Sequence, residues 1–140
     1  MTRRRKVWLG IIVAVAVVLG GAHWALSCWC YYTPRAMVSE GMSLAAGSRT
    51  AVEEFFNAES RFPVDNNEAR VSPPTEIYGK YVVSVTVNDG NITVLYGGPD
   101  AHQRIRDRTL QLSPTVSAQS IEWRCDASEF SKRDRPSACR

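Results

Sequence analysis

The chain has 140 residues, of which 17 are lysine or arginine and 14 are aspartate or glutamate, which gives a net charge of +3. Arg3, Arg4, Arg5 and Lys6 supply four of the positive charges, so the remaining 13 basic and 14 acidic residues sum to −1. The net charge outside residues 3–6 therefore gives no support for nonspecific binding to nucleic acid. After an apolar first segment, the length leaves room for one modest soluble core.

The N-terminal segment is apolar enough to cross a membrane. Residues 7–26 contain no Asp, Glu, Lys or Arg, and a helix of this length, at about 1.5 Å per residue, spans the roughly 30 Å hydrocarbon core. The basic run at residues 3–6 predicts a cytoplasmic N-terminus and an extracytoplasmic remainder. The predicted anchor side chains are Val7, Trp8, Leu9, Ile11, Ile12, Val13, Val15, Val17, Val18, Leu19 and Leu26.

Two other interpretations of this segment stay open. A cleaved signal peptide would have an apolar region of about 7–15 residues, which is shorter than the one here. A lipoprotein would be cut before Cys28, although Leu26 is larger than such sites usually accept. Cys28 and Cys30 have no His or Cys cluster nearby, so we expect free thiols or an intermolecular disulfide rather than zinc.

Residues 34–56 form the next predicted element, a two-faced helix. Thr33-Pro34 suits a helix start, or alternatively marks a kink in one continuous helix. Gly41 and Gly47 lower helix propensity, so the helix depends on packing or allows a neighbouring helix to come close. Glu53 and Glu54 are expected on a solvated face. The apolar face comprises Met37, Val38, Met42, Leu44, Ala45, Ala51, Val52, Phe55 and Phe56.

A long loop and a hairpin follow this helix. Residues 57–77 are rich in Pro, Asn and Asp without periodicity, which predicts an ordered loop that serves as a binding or assembly surface. Residues 80–87 alternate and predict a half-buried strand. Asp89-Gly90 suits a two-residue turn into the partner strand at residues 92–96. The predicted inward side chains of the first strand are Tyr81, Val83, Val85 and Val87.

A second strand pair is predicted at residues 109–113 and 120–125, after a polar connector. Its alternation puts Leu110, Leu112, Ile121, Trp123 and Cys125 on one face. The order of elements predicts an α+β fold, in which a long N-terminal helix packs on a four-stranded antiparallel sheet. We expect two parts: a basic terminus with an anchor helix at residues 1–30, and an extracytoplasmic head at 31–140.

Cys125 and Cys139 lie 14 positions apart, in a domain that we expect in an oxidising compartment. We interpret them as a disulfide that closes the C-terminal loop. Two free thiols in a cytosolic domain are the alternative, and that alternative requires the opposite membrane topology.

The sequence carries no pattern that indicates an enzyme, a cofactor or a metal. It has no glycine-rich phosphate loop and no nucleophile elbow, and it holds only two histidines, His23 and His102. Adjacent Glu53 and Glu54 point about 100° apart on a helix, so they cannot face each other as an acid and base pair. The residues alone therefore indicate a membrane-anchored, non-enzymatic module.

Six segments, taken together and in this order, resemble type IV pilins. They are YTPRAMVSEG at 32–41, RFPVDN at 61–66, IYGKYV at 77–82, TLQLSP at 109–114, IEWRC at 121–125 and RPSACR at 135–140. The resemblance implies a helix packed on four strands and a C-terminal loop bounded by Cys125 and Cys139. It also implies a subunit of a bacterial surface pilus used in adhesion, motility or DNA uptake, with other pilin subunits and pilus assembly proteins as partners.

The resemblance departs at the N-terminus. Pilins are cut after a glycine that usually precedes phenylalanine, and a glutamate follows a few residues later. In this sequence Arg5, Lys6 and Gly10 occupy those positions. We therefore expect a chain that lacks the prepilin cleavage motif and that stays in the inner membrane or joins a pilus atypically. The alternative is a non-polymerising inner-membrane accessory or binding module with a pilin head.

DNA contact is a separate hypothesis, because basic residues are concentrated near the C-terminus. Residues 101–140 hold 8 basic and 5 acidic groups, whereas residues 31–100 hold 5 basic and 9 acidic groups. A solvated surface is the plainer interpretation of this excess, and a host surface is another partner to consider. The candidate DNA contacts are Arg104, Arg106, Arg108, Lys132, Arg133 and Arg135.

Overall fold

The computed structural model describes residues 3–117 and 120–140, with side chains described at residues 8 and 10–24 and from residue 34 onward. The chain divides into two compact units, Met1–Thr33 and Pro34–Arg140. Its elements are helix α1 (Arg3–Glu59), strands β1 (Val82–Asn88), β2 (Asn91–Tyr96), β3 (Thr109–Ser117) and β4 (Ser120–Asp126), and short 3-10 turns at Pro74–Glu76 and Ser137–Cys139.

The predicted α+β architecture is confirmed. The four strands form one antiparallel sheet in the order β1-β2-β3-β4. The predicted turn is present, because Asp89 and Gly90 have φ values of 46° and 77° and connect the paired residues Asn88 and Asn91. Both turn positions need positive φ, which glycine adopts freely and aspartate tolerates.

Pro34 lies inside α1, so the predicted helix start at Thr33-Pro34 is wrong and the alternative of one continuous helix is right. The apolar face of the second half of α1 is buried as predicted, with Val38, Ala45 and Val52 fully enclosed against the sheet. This face supplies the helical side of the hydrophobic core.

One predicted inward residue of β1 faces outward. Val83 is 41% exposed, whereas the neighbouring Val82 is buried. The cause is a β-bulge: Val82 pairs with Tyr96 and Ser84 pairs with Leu95, so Val83 is an extra residue in its strand. A bulge inverts the alternation on one side of itself, and Val85 and Val87 beyond it are buried as predicted.

Gly41 lets the helix lie directly on the sheet. The Tyr96 hydroxyl donates a hydrogen bond of 2.6 Å to the Val38 carbonyl, and a Cβ at Gly41 would lie 2.1 Å from that hydroxyl oxygen. Of the two alternatives for Gly41, dependence on packing is the one that holds, because the residue that needs the space is Tyr96 on β2 rather than a residue of another helix. Burial raises the pKa of Tyr96, so the phenol stays a proton donor.

Two carboxylates of α1 join the helix to the sheet. Glu40 accepts hydrogen bonds from the backbone N–H groups of Lys80 and Tyr81, at 3.0 and 2.8 Å. Glu53 accepts a bond of 2.6 Å from the indole Nε1 of Trp123. The prediction that Glu53 lies on a solvated face is therefore wrong, whereas Glu54 is exposed as expected.

In the N-terminal unit, apolar side chains of α1 are exposed. Val7, Leu9 and Leu26 of the predicted anchor lie outside the residues with described side chains. Among the described residues, no helix combines the length and the hydropathy that a membrane span requires. The other predicted anchor side chains, each more than half exposed, are Trp8, Ile11, Ile12, Val13, Val15, Val17, Val18 and Leu19.

Candidate functional site

The loop between α1 and β1 is ordered because one buried side chain fixes it to the sheet. Asn66 is 4% exposed; its amide nitrogen donates to the Val85 and Ser72 carbonyls at 3.1 and 2.9 Å, and its amide oxygen accepts from the Val87 N–H at 2.6 Å. The amide thus occupies the place of a fifth strand on the outer edge of β1. The loop is therefore ordered, as the sequence predicted, and its role as a binding or assembly surface stays a prediction.

An ion pair closes the start of the same loop. The Arg61 guanidinium binds the Glu68 carboxylate, which also accepts the Val64 N–H at 2.7 Å. The hydrogen bond from Arg61 is the largest cause, and the bond from the Val64 N–H the next, of a lowered Glu68 pKa of about 2. Both side chains are solvent-accessible, so we regard the pair as local ordering of the loop rather than a major source of stability.

The second candidate surface is the C-terminal loop, which begins and ends at a disulfide. Cys125 on β4 is bonded to Cys139, with a Cα–Cα distance of 5.0 Å. Cys139 is nearly buried, and its sulfur lies 4.0 Å from that of Met42 on α1. Phe130, in the middle of the loop, packs edge-on against Tyr96 with ring centroids 5.4 Å apart. The loop is therefore tied to helix and sheet at two points.

We expect removal of this disulfide to destabilise the head. Replacing Cys125 and Cys139 together with serine should lower the free energy of unfolding by about 3 kcal/mol, because the unfolded chain regains the entropy of an open loop of this length. Equilibrium urea unfolding of the variant and the oxidised parent measures this difference. Equal unfolding midpoints for the two proteins would contradict the expectation.

A buried aspartate organises the interior of the C-terminal loop. Asp134 is 1% exposed and accepts a hydrogen bond of 2.6 Å from the Ser131 hydroxyl. Its other carboxylate oxygen lies 3.5 Å from the Arg104 guanidinium, on the connector between β2 and β3. A buried carboxylate needs a compensating charge, so this pair holds the connector between β2 and β3 against the C-terminal loop.

The predicted basic residues divide into two groups. Arg135 donates to the Phe130 and Ser128 carbonyls, and Arg106 donates to the Pro99 and Ala101 carbonyls, so both of these, like Arg104, make internal contacts. The side chains of Arg108, Lys132 and Arg133 are exposed.

Basic side chains of the C-terminal loop form a cleft. A cleft of about 430 Å³ is lined by Lys132, Arg133, Arg135 and Arg140. The prediction omitted Arg140, because only the fold returns the last residue to the loop; the disulfide one position earlier was the signal that could have found it. The cleft has the charge to attract a phosphate or carboxylate group.

Across residues 3–117 and 120–140, no group of His, Cys, Asp and Glu side chains is arranged to hold a metal ion. These surfaces present ordered backbone, apolar area and charge. The arrangement is suited to contacts with other macromolecules.

Comparison with known proteins identifies the class to which this architecture belongs. Residues 34–140 match the sequence profile of the pilin family, whose members form bacterial filaments. The chain belongs to the pilin family.

Individual relatives agree with this assignment. The chain is 34% identical over 117 residues to a fimbrial protein of Neisseria meningitidis serogroup A, covering 84% of this chain and 68% of the relative. It is 35% identical over 117 residues to a type IV major pilin of Neisseria gonorrhoeae, covering 84% of this chain and 54% of that protein. It is 31% identical over 136 residues to the fimbrial protein EcpC of Eikenella corrodens, covering 94% and 86%.

Proposed function

We propose that this chain is a structural subunit of a type IV pilus, held in the fibre by the first half of α1. The observation that carries the proposal is the row of exposed apolar side chains between residues 8 and 24 of that helix. An apolar helical surface of this length needs a nonaqueous environment, which lipid or the helices of other subunits provide. Membership of a family of filament proteins favours the second environment after assembly.

Before assembly, we assign the same helix to the inner membrane, with the head on the periplasmic side. The basic residues 3–6 support this orientation. Gly10, Gly20 and Gly21 would let the helices of other subunits approach closely after assembly. These residues have no side chain, and no atom of this chain lies within 4 Å of a Cβ placed at any of them. The two ordered loops, at residues 60–81 and 126–140, are the surfaces to which we assign adhesion and contacts between heads.

A charge placed in the apolar row tests the proposal. Replacing Val13 with lysine should cost about 3 kcal/mol in an apolar environment, which corresponds to a roughly hundredfold loss of incorporation into pili. Gln111→Lys is the matched control, because it adds the same charge at an exposed position of β3 in the head. The measurement is the ratio of chain in sheared surface fibres to chain in membranes of the producing bacterium.

The outcomes separate the two candidate roles. Loss of Val13→Lys from the fibre fraction, with Gln111→Lys retained, supports the fibre subunit. If the unsubstituted chain is itself absent from fibres and is extracted from membranes as a monomer, the non-polymerising accessory module is the better account.

DNA contact is a second candidate function, because four basic side chains, Lys132, Arg133, Arg135 and Arg140, line one cleft. Binding of a short DNA duplex should weaken steeply with salt. The logarithm of the binding constant should fall against the logarithm of the salt concentration with a slope of about −0.9 for each phosphate neutralised. Lys132→Glu should make the slope shallower by about one, whereas Lys80→Glu, exposed on the other loop, should not. Salt-independent or undetectable binding removes this candidate.

A further inference from the structure

The outer edge of β4 is an unpaired strand edge. Ser117 and Ser120 flank a two-residue connection and therefore form a hydrogen-bonded pair. The antiparallel alternation then directs the N–H and C=O groups of Ile121, Trp123 and Cys125 away from β3. Among the residues that the structure describes, no backbone group outside β3 bonds to these three.

The opposite edge of the same sheet is closed. There the Asn66 amide binds the outward groups of Val85 and Val87 and replaces a neighbouring strand. Natural sheets protect a free edge with proline, charged side chains (lysine above all), a bulge or a covering loop. The Ser137–Cys139 turn lies against β4 and is bonded to Cys125. However, β4 contains no proline or lysine, and its pairing with β3 is continuous from Ser120 to Asp126. The sheet thus leaves one edge available for another strand.

The side chains of β4 are arranged to complement a second copy of β4. Glu122 and Arg124 are exposed on the outer face, on either side of Trp123. Trp123 is held on the inner face by its bond to Glu53 and by the Arg49 guanidinium, 5.3 Å from its ring centroid. The exposed face of the strand therefore carries Glu122, Arg124 and Asp126 at alternate positions, one base between two acids, on a fixed backbone.

We propose that two copies of this chain pair through β4, antiparallel, around a two-fold axis at Trp123. In this register the outward backbone groups of Trp123 meet those of Trp123 in the second copy, and Glu122 lies opposite Arg124 on both sides of the axis. Directly opposite side chains of opposite charge stabilise antiparallel strands, and like charges destabilise them. An axis at Glu122 or at Arg124 would place like charges opposite each other. An axis at Cys125 would pair Arg124 with Asp126, but Cys125 is bonded to Cys139 and the Ser137–Cys139 turn lies against β4. Charge and access together therefore favour the axis at Trp123.

This pairing goes beyond the fibre proposal. A two-fold contact uses the same strand edge on both copies, so it stops at a dimer. Fibre growth needs a head-to-tail contact that can repeat from subunit to subunit. The pair would join two four-stranded sheets into one sheet of eight strands. Failure of either proposal leaves the other standing, because the first half of α1 takes no part in the β4 contact.

Charge exchange tests the pairing. The full chain in detergent should dimerise reversibly in sedimentation velocity experiments, and Glu122→Arg or Arg124→Glu alone should weaken the dimer about tenfold or more. The double exchange should restore it, and an equimolar mixture of the two single variants should form the mixed dimer. A dimer that is indifferent to these charges, or a chain that stays monomeric up to roughly 1 mM, would overturn the proposal.

Crosslinking tests the register. In a background with Cys28 and Cys30 replaced by serine, an equimolar mixture of the single variants E122C and R124C should form intermolecular disulfides between position 122 of one copy and position 124 of the other, read by peptide mass mapping. Each mixed pair keeps one Glu122–Arg124 contact, and neither variant alone should crosslink. The control Q111C/S117C places both cysteines at exposed positions of β3, one strand away from the edge, and should stay uncrosslinked. Crosslinks of 122 to 122, or equal yields in the control, would reject this register and with it the proposal.

Discussion

Replacing Gly41 with alanine is expected to lower the free energy of unfolding of the head by about 3 kcal/mol. The new Cβ would lie 2.1 Å from the Tyr96 hydroxyl oxygen, 2.6 Å from Cζ of the same ring and 2.8 Å from a methyl group of Val94. Tyr96 is fully buried, and its ring packs edge-on against Phe130. The added methyl group must therefore push the helix away from the ring, and the Tyr96 hydroxyl loses its hydrogen bond to the Val38 carbonyl.

Gly47 provides the matched control on the same helix. Nothing lies within 4 Å of a Cβ at this position, so Gly47→Ala should raise stability by about 1 kcal/mol through helix propensity alone. Urea unfolding of the two variants, followed by near-UV circular dichroism, gives both values. Equal effects of the two substitutions would contradict the contact between Gly41 and Tyr96.

Asn66→Ala is the second substitution with a large expected effect. It leaves the Val87 N–H and the Val85 and Ser72 carbonyls without the partner that the structure shows. Buried groups left unsatisfied cost about 1–3 kcal/mol each, and water reaches some of them, so we expect a total loss of about 3 kcal/mol. The variant should also aggregate, because the outer edge of β1 is opened.

The adjacent Asn67→Ala is the control for this experiment, since Asn67 is exposed and makes no side-chain hydrogen bond within the described part of the chain. Its free energy of unfolding should stay within about 0.5 kcal/mol of the parent. Hydrogen exchange of the Val87 amide distinguishes the mechanisms, because Asn66→Ala should expose that amide before global unfolding. Retained protection of Val87 would contradict the account of the sealed edge.

Local patterns predicted the elements that depend on local physics. Alternation identified Val85, Val87, Leu110 and Leu112 as core positions, and all four are buried. Asp89-Gly90 identified the first hairpin because only a few residues adopt positive φ without strain. The periodicity of α1 identified its buried face, since spacings of three and four coincide on a helix.

Features that depend on distant contacts were not predictable from the sequence. The bulge at Val83 arises from the register with β2, and no residue in β1 signals it. Glu53 has the composition of a surface residue, but Trp123, 70 positions later, supplies its donor. The structural roles of Asn66 and Asp134 likewise depend on β1 and on Arg104, which only the folded chain brings near them.

Helix α1 continues through Pro34. Proline removes one backbone donor but does not forbid a helix when surrounding contacts support it. On its C-terminal side, Val38 and Ala45 are buried against the sheet. Propensity alone favoured a start at this proline, and tertiary packing outweighed it.

We propose that this chain is built into a fibre through the apolar first half of α1. Quantitative mass spectrometry of pili, sheared from the producing bacterium and purified away from membranes, tests this assembly directly. We expect peptides of this chain in the purified fibres, and their loss when Val13 is replaced with lysine. Recovery of the chain only from membranes, as a monomer and never in fibres, would contradict it.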